Sequence, residues 1–387
     1  MWLMISALPH PSRGSPHPNS AVGTSRDEGM KACWLVFAAS ACLPSYALSM
    51  SSLSPPPRVL ALGVAAIDYS AVVVKYPDPD AKIRTESLEV FGGGNGGNTI
   101  TCCARLGLAS SMLTKIGNDA NGQLVIEGLR KDGVDTSFIV VSPRTPSAFT
   151  YVIVDRKGKT RTCIHTPMTE ELLPDEVDAS MLEGVDILHL DSRMTGAAIK
   201  LAELAIAAEV PIVLDAEKHR PGLSELLPLA TYIITNRSFP MAYTGKQDRV
   251  EAMSALLDLG RARFVVSTMG EEGSLMVCRE EPAHATTLGC SGLQVSSVEI
   301  RRNTVEVASL PIQTIHCGAA SVPAEDIVDT TGAGDAYIGG IIYGIVNRLP
   351  THDMMALAST VAAKKLQSPG ARPGIPTLAE LRSGQRA

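Results

Sequence analysis

The chain has 387 residues, of which 45% are hydrophobic and 19% charged, and its formal net charge is −6. This length and composition suit one large or two ordinary globular domains with a substantial buried core. The acidic balance, the lack of a long Lys/Arg run and an aromatic content of 4% exclude a typical nucleic-acid-binding face, which needs basic side chains or rings for base stacking.

Eight cysteines are present, and their spacing contains no C-x-x-C pair and no Cys/His cluster of the kind that binds zinc. The adjacent pair Cys102-Cys103 lies in an apolar helical run, which predicts two small buried residues. Free cysteines of this kind indicate a reducing compartment.

Residues 1–57 differ from the rest of the chain. Residues 1–29 are rich in Ser, Pro and Gly without a hydrophobic period, which predicts disorder. The apolar run at 32–43 is too short for a comfortable membrane span but fits a targeting segment. Either an organelle leader, such as that of a plastid protein, or a wrongly assigned start at Met30 or Met50 explains the region, which leaves the plastid and the cytoplasm as alternatives. No transmembrane span is found, so no membrane partner is expected.

The next part of the chain predicts one buried strand and a small exposed sheet. Residues 58–65 form a continuous apolar strand, whereas residues 70–91 and 148–165 contain strands in which polar and apolar residues alternate. Between these two regions, the glycine-rich stretch 92–98 leads into a helix predicted over 99–108.

From residue 185 onward, buried strands alternate with helices, which predicts a parallel sheet covered on both faces. In such sheets ligands gather outside the carboxyl ends of the strands. We therefore expect one crevice to collect the polar residues that follow strands, namely Asp68, Asp191, Asp215, Asn236 and Thr268. Residues 279–316 interrupt the pattern and are predicted to form an insertion loop with one strand at 305–307.

Residues 329–335, Asp-Thr-Thr-Gly-Ala-Gly-Asp, precede an apolar run of helical character. Their glycines allow backbone N–H groups to face an anion where the helix dipole is positive. Asp335 lies just inside this anion site, where a carboxylate can accept a proton from an attacking hydroxyl. The alternative is an ordinary helix start in which Asp335 only complements the dipole.

A second glycine motif, Thr268-x-Gly270-x-x-Gly273, follows a buried strand. Alone it is as well explained by a hairpin with two turn glycines. Together with the motif at 329–335, some sixty positions later, it becomes informative about function.

Together these motifs resemble the ribokinase (PfkB-type) family of ATP-dependent sugar and nucleoside kinases. The resemblance covers about residues 58–380, leaving a tail at 381–387, and rests on the stretch 93–98, the two glycine motifs and Gly370-Ala371-Arg372-Pro373. The segment His189-Leu190-Asp191-Ser192-Arg193 and the spacing of Asn95 and Asn98 are similar to the ketohexokinase branch.

The resemblance implies an α/β sandwich with a mostly parallel central sheet and a small β-sheet lid, formed by the strands at 70–91 and 148–165. Lid closure over the sugar would exclude water, which competes for the γ-phosphate. Pairing of lids between two subunits would give a homodimer.

The same resemblance implies roles for individual residues. The sugar would be bound by Asp68, Gly94, Asn95, Asn98 and Asp191, although helix capping or turn geometry also explains the Asp and Asn residues. Asp335 would be the base, and the amides of Gly332, Ala333 and Gly334 would stabilise the transferring phosphoryl group. The nucleotide, ATP with Mg²⁺, would lie along Asn236, Thr268, Gly270, Gly273 and Thr331. A monovalent cation such as K⁺ would bind at Asp329 and Thr331.

One position departs from the family pattern. Many members carry a glutamate three residues after an asparagine that ends a strand, and this glutamate helps to organise Mg²⁺. In this chain the asparagine is Asn236, and Phe239 holds the glutamate position. The ketohexokinase branch also lacks the motif, so the departure concerns the metal arrangement and not the existence of activity.

The leading hypothesis is a kinase for a sugar hydroxyl, with fructose or another ketose first and ribose next. A nucleoside kinase is the alternative within the class, although few aromatic residues are available to hold a base. A non-catalytic scaffold protein of this fold would be expected to have lost Asp335 or its glycines. A dinucleotide-binding loop at 92–98 fails because the spacing is not G-x-G-x-x-G.

Overall fold

The computed structural model describes residues 55–158, 160–281 and 292–383. The predicted leader at 1–57 lies outside these residues except for its last three positions. Among the described residues, no helix combines the length and apolar character needed to cross a membrane.

Fifteen strands and nine α-helices occur in the described residues, joined by turns and short 3₁₀ segments. In chain order they are β1 (Arg58–Leu62), β2 (Ala66–Val73), β3 (Ser87–Gly93), α1 (Asn95–Arg105), β4 (Ala109–Leu113), β5 (Lys115–Gly117), α2 (Ala120–Lys131), β6 (Val140–Ser142), β7 (Phe149–Asp155), β8 (Thr160–Thr166), β9 (Ile187–Leu190), α3 (Thr195–Ala207), β10 (Ile212–Ala216), α4 (Leu223–Leu226), β11 (Tyr232–Thr235), α5 (Phe239–Thr244), α6 (Arg249–Leu257), β12 (Phe264–Thr268), β13 (Ser274–Cys278), β14 (Ile300–Val307), β15 (Leu310–Cys317), α7 (Ala333–Val346), α8 (Thr351–Lys365) and α9 (Leu378–Ser383).

Nine strands form the main sheet in the order β14-β15-β13-β12-β11-β10-β9-β1-β4. The six strands from β12 to β4 are parallel, and β13, β15 and β14 continue the sheet antiparallel. Alternate residues of β1 enter two different hydrophobic cores, Val59 and Ala61 on one face and Leu60 and Leu62 on the other. Both faces are therefore covered, as the uninterrupted apolar strands predict, and the predicted α/β fold is confirmed.

A separate four-stranded sheet has the order β3-β2-β7-β8 and corresponds to the predicted small sheet. Its register places Asp68, Thr150 and His165 in one row, so these side chains share a face. The neighbouring row of Tyr69, Val90, Tyr151 and Ile164 lies on the opposite face. We call this element the small sheet.

The segment 279–316 contains more strand than the sequence predicted. In its described part, β14 and β15 pair as a hairpin and extend the main sheet beyond β13. Alternation along β14 is weak because most of its residues are exposed and none is buried, so a single short strand at 305–307 was predicted.

Candidate active site

The start of α7 provides two free backbone N–H groups. Gly332 has φ +76° before the first helical residue, and a Cβ there would lie 2.8 Å from the carbonyl oxygen of Ala371. The first bond of the helix is donated by Ala336 N–H to the Gly332 carbonyl (2.9 Å), while Ala333 N–H donates to Thr330 (3.3 Å). The N–H groups of Gly334 and Asp335 precede the first intrahelical bond, so these two amides, not that of Ala333, are positioned for an anion.

The carboxylate of Asp335 is 8% exposed and accepts a hydrogen bond from the amide of Asn98, with 2.8 Å between Nδ2 and Oδ2. Burial raises the pKa of Asp335 to about 7; the Asn98 bond and Arg372 oppose the shift, and the carboxylates of Glu217 and Asp191 add to it. A carboxylate with this pKa can accept a proton near neutral pH.

Arg372 holds Asn98 in the orientation that serves Asp335. Its Nε donates to Asn98 Oδ1 (3.1 Å) and its Nη2 to the carbonyl of Gly93 (2.7 Å). The amide oxygen of Asn98 is therefore occupied, and its NH₂ group faces the carboxylate. Gly97 permits this contact, because a Cβ there would lie 2.3 Å from Arg372 Nη2. The sequence singled out Arg372 only as part of a motif, and its role was not predicted.

The helices that carry Asn98 and Asp335 lie in close contact. A Cβ at Gly339 of α7 would lie 2.5 Å from the sulfur of Cys102 in α1. Cys102 and Cys103 are fully buried, as their sequence predicted.

Three acidic residues lie beside Asp335 at the carboxyl ends of β9 and β10. The carboxylate of Asp191 accepts hydrogen bonds from the backbone N–H groups of Val64 (2.7 Å), Gly96 (3.1 Å) and Arg193 (3.0 Å). Asp215 accepts from the amide of Asn95 over 3.2 Å. Burial raises the pKa of Asp215, and the charges of Glu217 and Asp335 raise it further. Asp215 and Glu217 thus join the residues predicted to bind sugar, whereas Asp191 also fixes the loops around them.

Asp68 faces this crevice from the small sheet. Burial raises its pKa, and a hydrogen bond from Thr150 opposes the shift. Gly93 makes room for it, since a Cβ there would lie 2.4 Å from Asp68 Oδ2. Gly94 has φ +85°, and a Cβ there would lie 2.3 Å from the Val64 carbonyl, so its predicted place in the site follows from backbone packing.

A cavity of about 710 Å³ lies on the other side of the start of α7. Its walls contain three residues of the predicted nucleotide set, Thr268, Gly270 and Gly273, together with Ala333 and Gly334. Other lining residues were not predicted: Ala319, Ala320, Ser321, Val322, Thr330, Tyr337, Ser359 and Leu366. The cavity reaches Gly334, which carries one of the two free amides, and it is large enough for a nucleotide.

Two residues of the predicted nucleotide set have local roles instead. Asn236 does not line this cavity; its Oδ1 accepts the N–H of Phe239 (2.9 Å) and its Nδ2 donates to the Glu217 carbonyl (3.0 Å). Thr331 donates its hydroxyl to Asp329 Oδ1 over 2.6 Å. Phe239 is 2% exposed and stacks on Tyr243 with ring centroids 5.4 Å apart, so the usual glutamate position belongs to the core.

The place predicted for a monovalent cation holds a side-chain ammonium group. Lys365 is fully buried, and its Nζ donates to the carbonyls of Asp329 (2.8 Å) and Ser368 (3.2 Å). Burial lowers the pKa of Lys365 to about 8, so the group is mostly charged at neutral pH. A second cation at the Asp329 carbonyl would meet this charge, so the residues present do not fit K⁺ there. Among the described residues, no group of three or more His, Cys, Asp or Glu side chains could hold a metal ion.

Comparison with known proteins agrees with this geometry. Residues 57–298 and 313–378 match the sequence profile described as pfkB family carbohydrate kinase. Ribokinase of Staphylococcus aureus (strain COL) is 23% identical over 336 residues, which cover 84% of this chain and 98% of that protein. Ketohexokinase of Mus musculus is 23% identical over 321 residues, covering 80% and 95%.

The structure of Arabidopsis thaliana ribokinase complexed with ribose and ATP superimposes with a TM-score of 0.68 at 21% identity, covering 85% of this chain and 98% of that one. The similarity predicted to the ketohexokinase branch is therefore one of several of comparable strength. The profile leaves residues 299–312 unmatched, which contain all of β14, the turn of its hairpin and the first three residues of β15.

Proposed function

The chain belongs to the pfkB family of carbohydrate kinases and is an ATP-dependent sugar kinase, and from that premise we propose how its own residues carry out the transfer. The observation that carries the proposal is the buried Asp335, hydrogen-bonded to Asn98 and adjacent to the free amides at the start of α7. A proton acceptor beside an anion site is the minimum that phosphoryl transfer to an alcohol requires.

In the proposed reaction, the sugar lies between the small sheet and α7, held by Asp68, Asn95, Asn98 and Asp215. Asp335 accepts the hydroxyl proton as the sugar oxygen forms its bond to the γ-phosphorus. The bond between that phosphorus and the bridging oxygen of ADP breaks, and ADP keeps the electron pair. The N–H groups of Gly334 and Asp335 bind the transferring oxygens, whose charge they stabilise.

MgATP is the second substrate. Its nucleotide occupies the 710 Å³ cavity, so that its phosphates reach the start of α7. Mg²⁺ would enter with the phosphates and neutralise part of their charge, and Asp335 and Glu217 would hold it through water. We propose no monovalent cation at Asp329, because Lys365 donates to that carbonyl.

A sugar is favoured over a nucleoside as the acceptor. Three aromatic rings of the small sheet, Tyr69, Phe149 and Tyr151, pack against each other with centroids 5.2 to 6.1 Å apart. The register places these three on the face opposite Asp68, where they cannot stack on a base bound in the crevice. Phe91 lies in the same row as Asp68 and packs against Gly370. Ribose and ketohexoses come first among neutral acceptors, since relatives include a ribokinase and a ketohexokinase.

We also propose a homodimer formed through the small sheet. Its face opposite Asp68 carries a contiguous row of exposed apolar side chains, with Val90 48%, Tyr151 51% and Ile164 49% exposed. Leu88, in the next row of the same face, is 63% exposed. Burying such a patch against a second copy removes apolar area from water.

The test is ADP release by the full chain with MgATP across a panel of sugars, sugar acids, sugar phosphates and nucleosides. We expect turnover of a sugar that Asp335→Asn lowers by about 10² to 10⁴-fold, the usual contribution of a general base. Asp258→Asn, an exposed position on the far side of β12, is the matched control and leaves the rate unchanged. Bound ATP without turnover of any compound would favour the non-catalytic scaffold instead.

A further inference from the structure

A second cavity, of about 400 Å³, lies beneath the small sheet next to the proposed sugar site. His165 of β8, Arg193 after β9 and Arg220 after β10 contribute to its walls. The cavity adjoins the sugar site through Thr150, whose hydroxyl lies 3.1 Å from Nδ1 of His165 and whose hydrogen bond lowers the pKa of Asp68. A group bound in this cavity would therefore be part of the same acceptor molecule.

The guanidinium groups of Arg193 and Arg220 have no acceptor. Both residues are half-buried, and within the described parts of the chain neither guanidinium lies within hydrogen-bond or ion-pair distance of any group. The other basic residue of the wall, Lys115, is paired with Glu176 at 2.9 Å. Each arginine offers five N–H donors, and leaving the donors of a half-buried guanidinium unpaired is costly.

The two arginines create a positive field in the cavity. The pKa of His165 is lowered by burial and then by the charges of Arg193 and Arg220. The pKa of Arg220 is lowered by burial and then by Arg193, which places the two positive charges near each other. His165 is thus neutral near pH 7, and the positive charge belongs to the arginines.

The two arginines are not explained as partners that neutralise the acidic residues nearby. Asp191, Glu217 and Asp215 act on the charge of Arg220 from a distance, but none of them contacts either guanidinium. Asp191 is hydrogen-bonded to backbone N–H groups and Asp215 to Asn95. The three acidic residues therefore balance part of the positive charge of the arginines, but the N–H groups of both guanidinium groups donate no hydrogen bond to them. Among the described residues that line the cavity, the carboxylates are those of Glu170, which pairs with Arg144, and of the exposed Glu171.

We propose that the acceptor is an anionic sugar, whose carboxylate or phosphate group binds Arg193 and Arg220 while one of its hydroxyls faces Asp335. This inference rests on the proposed kinase function and narrows its substrate class. Planar guanidinium groups bind carboxylate and phosphate oxygens in pairs, which makes them specific for such anions. A neutral sugar in the same site would leave both arginines unpaired and gain none of this energy.

The test compares three acceptors of similar size: fructose, fructose 6-phosphate and 2-ketogluconate. We expect one of the two anions to have the highest kcat/KM. Comparison of fructose 6-phosphate with 2-ketogluconate then shows whether the site prefers a phosphate or a carboxylate group. Arg193→Gln and Arg220→Gln should each lower the kcat/KM for the preferred anion by roughly 10 to 100-fold, the range for a charge-assisted hydrogen bond. The same variants should lower the kcat/KM for fructose by less than about 3-fold. Arg301→Gln, on the exposed hairpin strand β14, is the control and changes neither.

Binding is measured separately in Asp335→Asn, which holds the acceptor without turning it over. In an NMR titration, the preferred anion should raise the pKa of His165, because it neutralises the positive field, and fructose should leave that pKa unchanged. The inference is overturned if fructose is the best acceptor in an Asp335-dependent reaction, which leaves the kinase function intact. It is also overturned if the arginine variants affect fructose and the anions equally. Absence of turnover with all three and with the wider panel would overturn both proposals together.

Discussion

The amide of Asn98 donates to Oδ2 of Asp335 over 2.8 Å, and this bond stabilises the charged form of a carboxylate that burial disfavours. Among the groups that lower the pKa of Asp335, Asn98 has the larger effect and Arg372 adds to it.

The first prediction concerns pH. Because the pKa of Asp335 is about 7 and the charged form is the active one, kcat/KM should rise as the pH increases through about 7. Asn98→Ala removes a bond that lowers this pKa, so the rising limb should move to higher pH, by roughly one unit for a bond of about 1.5 kcal/mol. The pH profile of sugar phosphorylation measures this shift. Asn303→Ala, on the exposed strand β14, is the control, and an unmoved limb in Asn98→Ala would contradict the assignment.

A pair of glycine substitutions separates stability from catalysis. A Cβ at Gly334 meets nothing within 4 Å, whereas one at Gly332 meets Ala371 and requires φ +76°. Gly334→Ala should change stability little, since the added methyl group meets nothing within 4 Å and the position lies in the first turn of α7, yet it should lower kcat because the methyl group lies where the γ-phosphate binds. Gly332→Ala should lower both stability and activity. Thermal unfolding and steady-state kinetics of both variants test this prediction. Full activity in Gly334→Ala would contradict the assignment of an anion site to the start of α7.

The buried ammonium group of Lys365 should make the enzyme independent of K⁺. We expect equal kcat/KM in potassium and tetramethylammonium chloride, because Lys365 already donates to the carbonyl of Asp329. Lys365→Ala should lose activity in tetramethylammonium and regain part of it in potassium, since the truncation leaves a space lined by carbonyl oxygens. Lys365→Met, which removes the charge but fills the space, should not respond. Strong activation of the unmodified protein by K⁺ would show that the ion binds elsewhere or beside the lysine.

The small sheet is tied to the loop before α7 by Arg161. Its Nη1 lies 3.1 Å from Asp329 Oδ1 in a partly exposed ion pair. Cys163, two residues along β8, is exposed and shares the face of Arg161. Arg161→Gln should speed modification of Cys163 by about 1.4 to 5-fold, the effect of losing an ion pair of about 0.2–1 kcal/mol. Arg156→Gln, which breaks an exposed pair elsewhere in the sheet, is the control.

Thiol modification is followed by mapping the labelled peptide with mass spectrometry. MgATP and the acceptor together should slow the labelling of Cys163 if the small sheet closes over them. Equal labelling with and without ligands would argue against its role as a lid.

The proposed dimer predicts a change in mass. Tyr151→Glu places a charge in the centre of the exposed apolar row and should convert the dimer to a monomer in sedimentation velocity experiments. Leu310→Glu, at the equally exposed turn of the β14–β15 hairpin, should leave the mass unchanged. A monomer in the unmodified protein would contradict the proposed interface.

Local pattern was enough to predict most of the fold. The strands at 58–65 and 264–268, the helix at 195–208 and the small sheet all carry a clear hydrophobic period, and each lies within a few residues of its predicted place. Only residues 305–307 of the hairpin strand β14 were predicted, because this edge strand consists mostly of exposed residues, which carry no strong period.

The candidate site was predictable only where a motif concentrates the chemistry. Asp335 and its glycines lie within seven residues and were found. Arg372 acts on Asn98 across 274 positions, and Lys365 reaches a carbonyl 36 positions away. Nothing local marks such partners, because an arginine or lysine in sequence is most often a solvated surface residue. The unpaired state of Arg193 and Arg220 likewise becomes visible only when every neighbour is in place.

The glycine contact between α7 and α1 has an evolutionary consequence. Because Gly339 brings the two helices together at backbone distance, the spacing between Asp335 and Asn98 is set by the core. The arginines beneath the small sheet lie on loops after other strands and share no packing with that contact. Changes of acceptor can therefore accumulate in those loops while the proton-transfer geometry is inherited unchanged, which allows one scaffold to diversify without passing through inactive intermediates.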